Sequence, residues 1–114
     1  MVLNGVELED LDIYDLEVAE KFDKALKDID IVKEEVKGMG NVDGIRTLCT
    51  AIFDVFNAMF GEGTDKKVFG NRVNLLICLK TLEEFVLKMK EQEKEMDKLM
   101  NKYSPNRAAR RSKK

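Results

Sequence analysis

"FGEGTDKKVFGNRVN", residues 60–74, sets three glycines and two adjacent lysines between two apolar runs. As a phosphate cradle it would imply a strand before it and an enzyme around it. As a joint it would link two helices. A phosphate loop needs G-x-x-x-x-G-K-[ST] between a strand and a helix. Here Gly61 and Gly63 are one residue apart, no Gly-Lys-Ser/Thr occurs, and Lys66 stands where a dinucleotide loop needs its third glycine. The segment before it has helical, not strand, periodicity. The joint accounts for the residues better. Gly61 closes a helix in the left-handed conformation. Thr64 or Asp65 caps a single turn, Lys66 to Phe69, which Gly70 ends, and Asn71 caps the next helix. Val68 and Phe69 are large for so short a loop. Either they fold back to seal the end of the helix pair, the simpler account, or they form a contact patch, which makes them candidate partner-binding residues.

Upstream of the joint, Ile45, Leu48, Cys49, Ile52, Phe53, Phe56, Met59 and Phe60 form a wide apolar stripe. They predict a central helix over 42–60, capped by Asn41. Before it, Val18, Phe22, Ala25, Ile29, Val32 and Val36 recur at steps of three and four, predicting a helix over 16–37 that Asp15 caps and Gly38 and Gly40 end. Glu17/Lys21, Glu20/Lys24 and Asp23/Lys27 are spaced as i,i+4 ion pairs, each worth about 0.2–0.5 kcal/mol. At the start, Asn4-Gly5 between Val2-Leu3 and Val6-Glu7-Leu8 predicts a hairpin over 1–8 with a type I′ turn. A lone hairpin is marginal in water, so it must rest on something else. The acids from Glu7 to Asp15 lack the glycine and spacing of a calcium loop, and no metal is expected there. Leu8, Leu11 and Ile13 interrupt them and turn inward.

Downstream, a helix over 71–103 is expected. Its first half, "VNLLICLKTLEEFVLKM", is apolar nearly all round and reads as buried. Its second half, "KEQEKEMDKLMNKY", is charged, with a narrow seam of Met89, Met96, Leu99, Met100 and Tyr103 that Gln92 and Glu93 interrupt. Such a seam suits contact between two helices. At about 33 residues this helix spans ~50 Å, against ~30–35 Å for the other two. Its last four turns therefore have nothing in the chain to lie against. The seam residues are candidate partner-binding positions. After Ser104-Pro105, residues 104–114 read as a disordered basic tail, with Arg107, Arg110, Arg111, Lys113 and Lys114 as candidate electrostatic docking residues.

The 114 residues suit one mainly α domain with a small N-terminal hairpin and a long C-terminal helix. There is no histidine, which excludes Ser-His-Asp and Cys-His nucleophile activation and the usual zinc sets. Glu34-Glu35 and Glu83-Glu84 read as surface positions of amphipathic helices, not as paired catalytic acids. No catalytic residue and no cofactor is expected. The longest wholly apolar run, Leu75 to Leu79, is far short of the ~20 residues that span a bilayer. No secretory signal is visible, and Cys49 and Cys78 are expected as reduced, buried thiols. The net charge of −2 conceals a polarity: residues 1–20 carry seven acids and no base, residues 102–114 six bases and no acid. Opposed ends favour self-association or separate partners at each end. No aromatic residue lies among the bases of the tail, so base stacking is not indicated and nucleic acid is not the expected ligand.

Three stretches, "NGVELEDLDIYDLEVAEKFDKAL" (4–26), "AIFDVFNAMFGEGTDKKVFGNRVNLLICLKTLEEFV" (51–86) and the closing "NRAARRSKK", resemble a family of small proteins from the tail region of phages and prophages of Gram-positive bacteria, similar to tail assembly chaperones. The most specific part is Phe60-Gly61-Glu62-Gly63-Thr64, with Phe69-Gly70 and Asn74-Leu75-Leu76. The resemblance implies a helical, non-enzymatic protein of the host cytoplasm. It would bind its own copies and the long tape-measure protein, keeping the latter soluble until tail-tube subunits polymerise around it. The six methionines suit adaptable packing against such a partner. A virion structural or adaptor protein and a small nucleic-acid-binding phage regulator are the alternatives.

Overall fold

The structure is a computed structural model that describes residues 1–103. The expected disordered tail, 104–114, and its five docking candidates, Arg107, Arg110, Arg111, Lys113 and Lys114, lie outside the described residues. The chain forms β1 (Val2–Leu3), β2 (Val6–Glu7), α1 (Leu16–Val36), α2 (Asn41–Phe60), α3 (Thr64–Phe69) and α4 (Leu75–Tyr103). It is mainly helical, with an N-terminal hairpin and a long last helix, as its periodicities predict.

The hairpin pairs Val2 with Glu7 and Leu3 with Val6. Asn4 and Gly5 turn it with φ of 51° and 75°, the type I′ geometry that Asn-Gly favours. It rests on α4. Leu3 is fully buried, Lys88 Nζ donates to Val2 O, and the Asn4 amide donates to Glu84 Oε1 at 3.0 Å. Asn4 Nδ2 reaches Val68 O at 2.9 Å, tying the turn to α3 as well.

The joint is a structural one. Gly61 closes α2, not in the expected left-handed helical conformation but at φ 111°, ψ 157°, an extended region that glycine alone adopts readily, and its amide bonds Asn57 O at 2.9 Å. Asn57 then accepts the Asp65 amide on its side chain at 3.0 Å, so the cap of α3 comes from the preceding helix. Thr64 Oγ1 donates back to Gly61 O at 2.6 Å. The amides of Thr64, Asp65 and Lys67, which a phosphate cradle would aim at an anion, are engaged within the joint. Three expected helix starts shift. α3 begins at Thr64 instead of Lys66. α2 begins at Asn41, with Gly40 in the cap position. α4 begins at Leu75 because Asn74, not Asn71, accepts the Ile77 amide on its side chain at 3.0 Å. Asp15 occupies the cap position of α1 without a side-chain bond.

The core lies where α1, α2 and the first half of α4 meet. α1 runs along α2, burying Phe22, Ala25 and Ile29. Phe85 of α4, fully buried, meets the rings of Phe22, Phe56 and Phe60 at 5.7, 5.6 and 5.5 Å. Phe69 from α3 closes the end of this cluster at 5.5 Å from Phe56 and 5.1 Å from Phe53. Edge and tilted ring pairs of this kind add about 0.5–1.5 kcal/mol each beyond burial. Cys49 and Cys78 are fully buried free thiols. Burial, and then the Cys49 thiol beside it, push Cys78 up to about 12. On the wet side of α1, Glu17–Lys21 and Asp23–Lys27 pair at 3.3 and 2.9 Å, whereas Lys24 takes Asp28, not Glu20.

Candidate functional site

The seam of α4 divides at Gln92. Towards the core, Met89 is fully buried. Beyond it Met96 is half-buried, and Leu99, Met100 and Tyr103 are 46, 49 and 75 % exposed. Four apolar side chains at helical spacing thus line one face of the last two to three turns. Met89 is corrected from seam to core: its level of the helix still faces the body of the fold. Val68 and Phe69 are corrected likewise. They are buried beneath the hairpin turn and against the α2 rings, so they seal the joint and present no contact patch.

The last four turns of α4, expected to lie bare, are partly covered. Residues 11–14, leading from the hairpin to α1, cross α4 as a strap. The Gln92 carboxamide accepts the Ile13 amide at 2.8 Å and donates to Leu11 O at 2.8 Å. Gln92, which interrupts the apolar pattern, is thus the clamp that holds the strap. Leu11 and Ile13 lie half-buried against the core, as their place among the acids predicts. The strap is fastened at its other end by the Met1 ammonium, which donates to Asp10 Oδ1 at 2.7 Å and Leu8 O at 2.9 Å. The Asp10 hydrogen bond holds that ammonium above its ordinary pKa. Tyr14, at the end of the strap, has its hydroxyl pKa raised by desolvation and then by the charges of Glu93, Asp97 and Asp12. The strap covers α4 as far as Met96, and the overhang begins there instead of four turns from the end.

Strap and helix leave an open notch of about 510 Å³, floored by Gln92, Met96 and Leu99 and walled by Leu11, Tyr14 and Glu95. A second groove, of about 560 Å³, lies between α1 and α4. Leu26, Ile29, Leu79, Leu82 and Val86 form its floor, and charged pairs rim it, Asp30 and Lys33 on one side, Glu83 and Lys90 on the other. An apolar floor with a charged rim of both signs is the form in which an amphipathic helix is bound. Among the described residues, no group of three or more His, Cys, Asp or Glu is placed to hold a metal, and no helix is long and apolar enough to cross a membrane.

Neither the groove nor the strap is visible in a one-dimensional pattern. Both depend on which faces α1 and the N-terminal segment turn towards α4. Leu79 and Val86 carried a signal, since a helix apolar on several sides has more apolar surface than two neighbours can cover.

Residues 4–114 match the model of a family of unknown function (DUF6673), and the chain belongs to that family. No curated protein and no solved structure matches it.

Proposed function

We propose that this DUF6673 protein is a non-enzymatic assembly chaperone that shields apolar helix surface on another polypeptide. The observation that carries the proposal is the distal face of α4, where Leu99, Met100 and Tyr103 stand exposed in line beyond the strap. Exposed apolar residues scattered singly are ordinary, but a continuous row on a protruding helix marks a contact surface. The α1–α4 groove supplies a second surface, of a shape and rim suited to an amphipathic helix. The fold is elongated, 56 by 32 by 22 Å, which leaves both surfaces open at once.

The partner's identity comes from the resemblance to tail assembly chaperones. It is the tape-measure protein of a phage tail, a long amphipathic chain prone to aggregate, held in the host cytoplasm together with further copies of this protein. The mechanism is cover without turnover. The groove takes apolar segments of the partner, and the distal α4 face joins the covering molecules to one another.

Co-expression with a phage tape-measure protein tests the proposal. The expected result is a soluble tape-measure protein that co-purifies with this chain. Insoluble tape-measure protein with none of this chain bound would overturn it.

A further inference from the structure

The charges beside the α4 seam select its occupant. Glu95 and Lys102 are seven residues apart and flank the same edge of the apolar face formed by Met96, Leu99 and Tyr103. Two residues seven apart on a helix lie nearly above one another. Within one molecule they are about 10 Å apart and do not pair. In an antiparallel arrangement of two such helices, the flanking position of one turn meets the same flanking position of a different turn in the copy. Glu95 then faces Lys102 of the copy, and Lys102 faces its Glu95.

We infer that a second copy of this chain pairs antiparallel along α4 between Met96 and Tyr103, the turns that the strap leaves bare. In that register Met96 packs on Leu99 of the copy and Leu99 on its Met96. Tyr103 arrives at the level of the copy's Gln92, where the notch between strap and helix lies open. An aromatic side chain with one polar end suits a notch with an apolar floor and a Gln and Glu at its edge. Sliding the pair outward by one heptad would oppose Lys102 to Lys102. Sliding it inward would need Met89, which the core already buries. A parallel pair would set Glu95 against Met100 and leave both charges without complement. Charge and burial therefore agree on one register.

The inference rests on the reading of the α4 face as a protein-binding surface and names what binds there. About two turns per copy, with Tyr103 in the notch, make a contact smaller than the ~1,200 Å² at which standard interfaces begin, so the dimer is a weak and reversible one.

Sedimentation equilibrium of the full chain tests it, with Glu95→Lys, Lys102→Glu and their mixture. Each single variant opposes like charges twice in the dimer and should dimerise roughly tenfold or more weakly than the parent chain. An equimolar mixture of the two variants restores both pairs as a heterodimer and should recover parental affinity. Both residues are exposed, so circular dichroism should show unchanged folding. A chain that stays monomeric at hundreds of micromolar would overturn the inference. So would variants that dimerise like the parent, or whose mixture gives no recovery. The proposed function fails separately: a dimer with the expected charge pattern that leaves tape-measure protein insoluble removes the chaperone and keeps the pairing, and a monomer that solubilises it does the reverse.

Discussion

Gln92 of α4 accepts the amide of Ile13 at 2.8 Å across 79 positions of sequence, and the same carboxamide donates to Leu11 O at 2.8 Å. One side chain therefore fixes how far the N-terminal strap covers the last helix, and where the exposed face begins. Gln92→Ala removes both bonds and leaves two partly buried backbone groups without partners. A cost of about 1–2 kcal/mol is expected in urea unfolding, with faster hydrogen exchange at Ile13. Gln92→Glu keeps the acceptor and should retain the Ile13 protection. Unchanged exchange in Gln92→Ala would show that the strap is held by other contacts.

Phe85 and Tyr103 sit on the same helix with opposite expectations. Phe85 touches three rings and is fully buried. Phe85→Ala should cost about 3–5 kcal/mol, enough to unfold much of a marginally stable chain. Tyr103→Ala should stay within about 0.5 kcal/mol in dilute solution. Chemical denaturation of both variants checks the contrast, and a large loss in Tyr103→Ala would place that ring against its own body.

The joint depends on backbone conformation more than on space. Gly61 has φ 111° and ψ 157°, a region open to glycine, yet a Cβ there would meet no atom within 4 Å. Gly61→Ala should destabilise by about 1–3 kcal/mol through strain alone. Gly38, without positive φ and with equal room, should accept alanine with a gain of about 0.4–1 kcal/mol. Thermal melts of the pair separate the two effects.

Cys78 makes stability depend on alkaline pH. Its thiol, ordinarily near 9.0, is pushed up to about 12 by burial and by Cys49. The folded chain holds that proton where the unfolded chain has lost it. The stabilisation is therefore complete below pH 9 and is lost as pH rises from 9 towards 12. At ~1.4 kcal/mol per unit, the loss by pH 11 is on the order of 2–3 kcal/mol. Cys78→Ala should flatten that part of the pH profile, whatever its effect at pH 7. A profile equally steep in the variant would assign the alkaline loss to other groups.

Much of the fold was legible because its signals are local. Asn4-Gly5 specifies its turn by backbone preference, and the α1 and α2 stripes recur at the helical period. The joint at 60–74 was legible because it lacks the spacing that a phosphate loop requires. The start of α4 was not. Asn71 and Asn74 are equally good caps by composition, and the choice falls to Asn74 because Gly70, at φ 65°, and the Arg72 turn carry the chain past Asn71 first. The site was half legible. Leu99, Met100 and Tyr103 appear as a seam in the pattern and remain exposed. Met89, Val68 and Phe69 belong to the interior, since a stripe of apolar residues does not reveal where its own domain stops covering it. The bond from Gln92 to a strap 79 positions away has no local signature at all.

The central claim is that the distal face of α4 is completed by a second polypeptide. Methionine oxidation read by mass spectrometry tests it most directly, because the methionines sample every environment: Met59 and Met89 are buried, Met39 is exposed, and Met96 and Met100 lie on the face in question. In the dilute chain, Met100 and Met39 should oxidise readily, Met96 more slowly, and Met59 and Met89 hardly at all. In the assembled complex with tape-measure protein, Met96 and Met100 should become protected while Met39 stays reactive. If Met100 oxidises as fast in the complex as in the dilute chain, nothing covers that face and the account is contradicted.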